Sequence, residues 1–276
     1  MAARALWKGQ ISLGLVTVPV KLATAVRQKD IAFHMMDPDG TCRLRTKLVC
    51  PETGKEYNFG ETAKGYELSP GEYVLLDKEE IKNLKAESDR TMRVEQFVTE
   101  QEIDPVYFDH TYYLLPDKGG ERSFHLLWQT MKKSGKVALG RLPMRGQRYL
   151  AAVRVSGQAL VLHTMHYADE VLSAADAGIV LEDEPPRKKE LDMAQHLVEA
   201  LTEKFDPKSF RDEYRERVED LIRRKAAGEE VTLPDVEPPP PTYNIAKALE
   251  ASLSAIRGKS KAKPQKKKTT RRRKSA

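Results

Sequence analysis

Six short runs rich in β-branched and aromatic residues, at 10–20, 73–76, 91–98, 111–115, 149–155 and 159–167, are separated by turn residues and by few helical stretches. That spacing confines the first part of the chain to strands that pair with near neighbours. An antiparallel barrel or sandwich follows, and a doubly wound sheet, which needs a helix between successive strands, does not fit. The run QISLGLVTVPV at 10–20 reads as one strand that carries a bulge or lies at an edge, because Gly14 and Pro19 interrupt it. Asp77, with Glu80 three residues on, makes a capping-box-like start to a short helix ending near Ala86, with Ile81 and Leu84 on its apolar side. A second helix is expected over 123–133. With 40% hydrophobic residues in a chain of 276, there is enough apolar material for a real core.

The texture changes near residue 180. Leu191, Ala194, Val198, Leu201 and Phe205 step by three and four after Pro185 and Pro186, and Asp206-Pro207 ends that helix. Ser209 opens another, with Phe210, Tyr214, Val218, Leu221 and Ile222 along one side and Gly228 as its C-terminal cap. Pro238 to Pro241 form a stiff spacer, and Ile245, Leu249, Leu253 and Ile256 make a third short apolar stripe. The expected organisation is therefore a β core over 1–180, a helical region over 181–233, a Pro-rich linker with a short amphipathic helix over 234–256, and a disordered basic tail over 257–276.

Charge is unevenly placed. Of the 47 basic residues, 11 lie in 257–276, which contains no acid, so 36 basic residues face 41 acidic ones in 1–256. Segment 181–256 is the acidic part, with 12 basic and 18 acidic residues. A tail carrying Arg257, Lys259, Lys261, Lys263, Lys266, Lys267, Lys268, Arg271, Arg272, Arg273 and Lys274 calls for a polyanion, most simply nucleic acid. A second basic feature lies inside the β region: from Arg122 to Ala168 there is no Asp or Glu, yet there are Arg122, Lys132, Lys133, Lys136, Arg141, Arg145, Arg148 and Arg154. Carboxylates subtract from the counterion release that drives phosphate binding, and a DNA-facing surface excludes them. Burial of some of these strands excludes acids too, but does not explain eight cations. Gly135, Gly140, Pro143 and Gly146 mark the window as turns or an extended connection, whose side chains line a curved surface. No base-reading helix is evident, so contact is expected with the backbone alone.

Catalytic signatures are missing. The sequence holds no G-x-x-x-x-G-K-[ST], G-x-G-x-x-G, H-E-x-x-H, or H-x-E with P-C-x-x-C. Asp77, Glu80 and Lys82 resemble the carboxylate and lysine set of a metal-dependent nuclease only superficially, and read as an ordinary charged helical face. His163 and His166 fall on opposite faces of a strand. Cys42 and Cys50 are too few for a disulfide framework and badly spaced for zinc, and are read as reduced thiols. No catalytic residue, metal or cofactor is expected. No apolar run is long enough to span a membrane and the first residues lack a signal-peptide core, so the expected location is cytoplasmic, at the nucleoid.

Specific motifs then appear in order: Trp7-Lys8-Gly9, Ile11-Ser12-Leu13-Gly14-Leu15-Val16, Pro19-Val20, Lys64-Gly65-Tyr66-Glu67, Ile103-Asp104-Pro105, Tyr107-Phe108-Asp109, Tyr112-Tyr113-Leu114 with Pro116, and Asp169-Glu170-Val171. Together they resemble the bacterial Ku family of non-homologous end joining over about residues 4 to 257. The resemblance implies a mainly β fold with added helices: an antiparallel Ku-type β-barrel core with an inserted arm or bridge, then the small helical region and the basic tail. It implies a homodimer that closes into a ring on the ends of double-stranded DNA and recruits an ATP-dependent ligase, ligase D, with no catalytic site of its own. The helical region, through Phe210, Tyr214, Val218 and Leu221, would carry the ligase contact, and the lysine-rich tail would add DNA contacts. Some relatives carry four metal ligands near the position of Cys50 in a C-x-x-C setting; here Pro51-Glu52-Thr53 follows, so the second cysteine is missing and no zinc is expected. The rival classes are a nucleoid-coating protein, which would bind closed circles equally, and an RNA-associated barrel, which would expose aromatic platforms.

Overall fold

Seven strands whose alternate residues are apolar roll into a closed barrel in the computed structural model, which describes residues 4–84, 90–180, 185–229, 248–249 and 251–254. In chain order the strands are β1 (Ala5–Leu13), β2 (Val16–Thr24), β3 (Leu48–Val49), β4 (Glu56–Tyr57), β5 (Lys64–Ser69), β6 (Glu72–Leu76), β7 (Thr91–Thr99), β8 (Phe108–Pro116), β9 (Lys136–Met144), β10 (Gln147–Ser156) and β11 (Ala159–Met165). The helices are α1 (Lys78–Leu84), α2 (Glu121–Ser134), α3 (Lys188–Leu201) and α4 (Glu213–Ala226). The barrel runs β1-β2-β8-β11-β10-β9-β7, and β7 returns to β1. The neighbours are antiparallel except at that closing contact, where Gln10, Ile11 and Ser12 of β1 pair in parallel with Thr91, Met92 and Arg93.

Segment 10–20 is two strands rather than one. Leu13 pairs with Val16, and Gly14 at φ +60° lets a two-residue turn reverse the chain, leaving Leu15 wholly exposed at the tip. The apolar alternation survives the reversal: Ile11, Val18, Val20 and Leu22 all face the interior. A second correction concerns 136–144. Gly140 and Pro143, taken as signs of a loose connection, sit inside strand β9, so the acid-free window is α2 plus three adjacent barrel strands, and burial accounts for much of its lack of carboxylates. The helix expected over 123–133 is α2; it lays Leu127 and Met131 into the barrel interior and ends at Gly135, φ +65°. The helix expected from Asp77 forms as α1, with Glu80 accepting from the Asp77 amide at 2.8 Å; residues 85–89 lie outside the described ones.

Two close approaches hold the closure. A Cβ on Gly9 would stand 2.1 Å from the Arg90 carbonyl and 2.3 Å from the Trp7 ring, and one on Gly140 would stand 2.1 Å from the Arg93 carbonyl. Gly140 faces a bulge between Val94 and Gln96 of β7. Trp7 packs across the interior and donates from Nε1 to the Pro143 carbonyl at 2.9 Å, tying β1 to β9.

A smaller apolar cluster lies on the outer wall, where Ile103, Val98, Tyr107 and Phe108 pack on Val137, Ala152 and Met165. Beside it the His163 ring lies tilted against Phe108, ring centroids 4.7 Å apart, and its Nδ1 lies 2.9 Å from the Thr111 hydroxyl. Arg154 Nε donates to His163 Nε2 at 3.0 Å, and Arg154 Nη1 lies 3.3 Å from Glu100. A donor on Nε2 requires a neutral imidazole. Burial first, and the Arg154 charge second, hold the His163 pKa below the ordinary value of 6.5.

Between β2 and β7 an inserted arm of two small hairpins, β3-β4 and β5-β6, precedes α1. Among its described residues, none is buried: Phe33, Phe59, Tyr66, Leu68, Tyr73 and Leu75 all stand in solvent. The second unit, from Val180 on, contains α3 and α4. Here α4 is capped by Asp212, whose carboxylate accepts from the Arg215 amide at 2.9 Å, so Phe210 precedes the helix instead of lying in it. Phe205 likewise follows α3 and meets Phe210 at 5.9 Å. The Pro238 to Pro241 spacer, Ile245 and Ile256 of the third stripe, and all of the tail lie outside the described residues.

Two stability measurements check this architecture. Gly140→Val should lower the unfolding free energy by about 1–3 kcal/mol through overpacking, read from urea denaturation. Because the unfolded state binds protons at His163 below about pH 6.5 and the folded state resists them, stability should fall as pH drops from 7.5 to 5.5. His163→Gln should flatten that dependence; a slope unchanged by the substitution would mean other groups set it.

Candidate nucleic-acid interface

Strand pleating sends alternate side chains outward, and register decides which of them meet. On β1 the residues between inward Trp7, Ile11 and Leu13 are Lys8, Gln10 and Ser12. Lys8 is opposite Lys21 of β2, and Ser12 is beside Arg93 of β7. Arg93 is opposite Arg141 of β9, Arg141 opposite Leu150 of β10, and Arg148 opposite Pro143. Outward positions on five adjacent strands, β2-β1-β7-β9-β10, therefore carry Lys21, Lys8, Arg93, Arg141 and Arg148, with Lys8 four residues along β1 from Ser12, the neighbour of Arg93.

Two cross-strand pairs of this ladder join like charges, Lys8 with Lys21 and Arg93 with Arg141. Directly opposed like charges destabilise a sheet. Glu95 lies 3.5 Å from Arg141 and Asp117 2.9 Å from Lys21. The hydrogen bond from Lys21, and then the Lys118 amide, hold the Asp117 carboxyl below the usual range. Asp117 compensates part of the charge of Lys8 and Lys21, the more exposed Glu95 contributes little against Arg141, and a row of phosphates would offset the remainder directly.

The eight cations of the acid-free window do not form one patch. Lys132, Lys133 and Lys136 gather where α2 meets β9; Lys132 lies over the Trp128 ring at 4.7 Å. Arg145 and Arg148 lie at the far end of β9, about 26 Å away along a strand rising ~3.3 Å per residue. Arg141 stands between them and joins the wall ladder. Arg122 sits at the start of α2, and Arg154 is committed to His163 and Glu100. The tail cations, from Lys259 to Lys274, lie outside the described residues.

Lys8, Lys21 and Arg93 were missed from sequence because they lie far from the window, on strands that only the parallel closure brings alongside it. The available signal was the alternation Lys8-x-Gln10-x-Ser12 between apolar residues, which marks a polar outer face.

In the helical unit, Phe210 and Tyr214 are exposed, and Val218 and Leu221 are half-buried along α4. No grouping of three or more metal-ligating side chains occurs among the described residues, and both cysteines are free there. No described helix is long and apolar enough to cross a membrane.

Comparison with known proteins agrees with the barrel. Residues 12–193 match the Ku70/Ku80 beta-barrel domain. A non-homologous end joining protein Ku from Anaeromyxobacter sp. is 42% identical over 258 residues, covering 92% of this chain and 86% of the relative. The protein of the same name from Heliobacterium modesticaldum is 35% identical over 273 residues, covering 99% of both chains. The one from Archaeoglobus fulgidus is 37% identical over 258 residues, covering 92% of this chain and all of the relative. A closed seven-stranded barrel with the family's residues along most of its length makes this chain a member of the Ku family.

Proposed function

We propose that the chain acts as a homodimer that threads onto the ends of linear double-stranded DNA, holds the sugar-phosphate backbone, and recruits an ATP-dependent DNA ligase, ligase D, for non-homologous end joining. The observation that carries this reading is the outward basic ladder over five neighbouring strands, with two like-charge pairs that a polyanion relieves. The names of the relatives place the family in end joining. The inserted arm supports the dimer: its exposed aromatic and aliphatic side chains suit a second copy of the chain, and two arms meeting around a duplex would close a ring. A ring turns modest backbone attraction into a topological trap, because release requires sliding off an end or opening the interface. The residues proposed at the DNA are Lys8, Lys21, Arg93, Arg141, Arg145 and Arg148, with Arg122 at the start of α2, Lys132, Lys133 and Lys136 where α2 meets β9, and the tail cations as diffuse additions. Phe210, Tyr214, Val218 and Leu221 are the proposed ligase contacts.

Three measurements test the reading. In a gel-shift competition at near-physiological salt, unlabelled linear duplex should displace the labelled probe and equal masses of closed circular or single-stranded DNA should not. Equal competition by circles would replace threading with DNA coating. Alanine at Lys8, Arg93, Arg141 and Arg148 should make the log-log salt slope shallower by about 3 to 4, each lost phosphate contact contributing ~0.9; an unchanged slope would remove the ladder from the interface. Phe210→Ser with Tyr214→Ser should abolish stimulation of the ligase while leaving duplex affinity intact, and retained stimulation would place the ligase contact elsewhere.

A further inference from the structure

Arg145 and Gly146 form the whole connection between β9 and β10. Arg145 is the one non-glycine among the described residues in the left-handed region, at φ +54°, and Gly146 follows at +80°. Two positive φ values in succession suit the right-handed twist of a hairpin, and the first is normally taken by Gly, which has no Cβ to crowd the backbone, or by Asn or Asp, whose short polar side chains hydrogen-bond locally. Strain of this kind persists where the side chain serves a purpose.

The hairpin is braced from several sides. Met144 is buried in the core, and the Pro143 carbonyl accepts from Trp7 Nε1 at 2.9 Å. The Tyr149 hydroxyl donates to Gln147 Oε1 at 3.0 Å, and the Tyr167 hydroxyl donates to the Arg148 carbonyl at 3.0 Å. Arg145 and Arg148 are exposed, and neither forms an ion pair among the described residues. A rigid two-residue tip thus presents a single long cation, with a second at its base.

We propose that Arg145 is a minor-groove probe: with the wall ladder and Arg148 on the flanking phosphates, the β9-β10 tip enters the minor groove of the bound duplex and gives the protein a mild preference for A·T-rich DNA. The inference rests on the DNA-binding reading above and adds a base-composition preference to it. The minor groove is about 6 Å wide, too narrow for a helix yet open to one side chain on a tight turn. A·T tracts narrow it further and deepen its negative potential, which attracts arginine, while the exocyclic amino group of guanine projects into it. Phosphate contact alone needs no strained position, since Arg148 offers it from ordinary strand geometry.

The test uses the full chain and three linear duplexes of equal length: an A-tract, a G·C sequence, and that G·C sequence with inosine for guanine, which removes the minor-groove amino group and leaves the major-groove edge as it was. The wild-type chain should bind the A-tract and the inosine duplex at least about three-fold more tightly than the G·C duplex. Arg145→Asn, which suits the positive φ and should leave the thermal midpoint unchanged or higher, should bind all three alike. Equal binding of all three by the wild-type chain, or a uniform loss in Arg145→Asn that preserves the preference, would overturn the minor-groove assignment while leaving end binding standing. Failure of the wild-type chain to bind any linear duplex would overturn both readings.

Discussion

The parallel contact between β1 and β7 is the joint on which the rest of the barrel depends. The other strand neighbours are antiparallel, but only this contact joins the first barrel strand to the strand that follows the arm, and so makes a sheet into a cylinder. It forms because Gly9 lets the Arg90 carbonyl and the Trp7 ring approach where no Cβ fits, and because Gly140 leaves room for the β7 bulge. Closure also removes the unpaired edges that an open sheet of this kind would expose. The same joint sets Ser12 beside Arg93, so it connects the cations of β1 and β2 with those of β9 and β10. Stability and the proposed DNA surface therefore share one structural cause.

Much of the fold was legible because period-two alternation survives local accidents. Five of the six β runs correspond to single barrel or hairpin strands, and the sixth proved to be a hairpin because the reversal at Gly14 keeps the inward phase on both sides. The β9 strand was hidden: Gly140 and Pro143 look like breakers in one dimension and are explained only by a partner strand, the glycine by the bulge opposite it and the proline by its place against Arg148. The proposed nucleic-acid surface was legible only in part. A net count of charge along a window finds Arg141 and Arg148 but also collects Arg154, whose guanidinium is spent on His163 and Glu100. Lys8, Lys21 and Arg93 needed strand adjacency, which sequence order does not contain.

The barrel and the arm divide the physical work differently. Barrel side chains such as Val20, Leu22, Leu142 and Leu160 are fully buried and supply the hydrophobic free energy that orders the chain. The arm buries none of its described residues, so its aromatics contribute little to the fold of one copy. Large apolar side chains kept in solvent along paired hairpins carry a solubility cost, and on the proposed reading a second copy removes it on assembly.

The outer wall follows the same logic with charge in place of apolar area. Lys8 against Lys21 and Arg93 against Arg141 set like charges side by side, which Asp117 offsets in part at the first pair and the more exposed Glu95 offsets little at the second. A ligand that neutralises the ladder binds the folded barrel and not the unfolded chain, since only folding brings β1, β7 and β9 together. On the proposed reading, DNA then stabilises by mass action the fold that recognises it. Because the gain comes from screening a row of cations, it is independent of base identity and falls with salt, as a protein that must accept any broken end requires. One strained arginine at a hairpin tip can bias such a grip without governing it, since a single groove contact is weighed against many phosphate contacts.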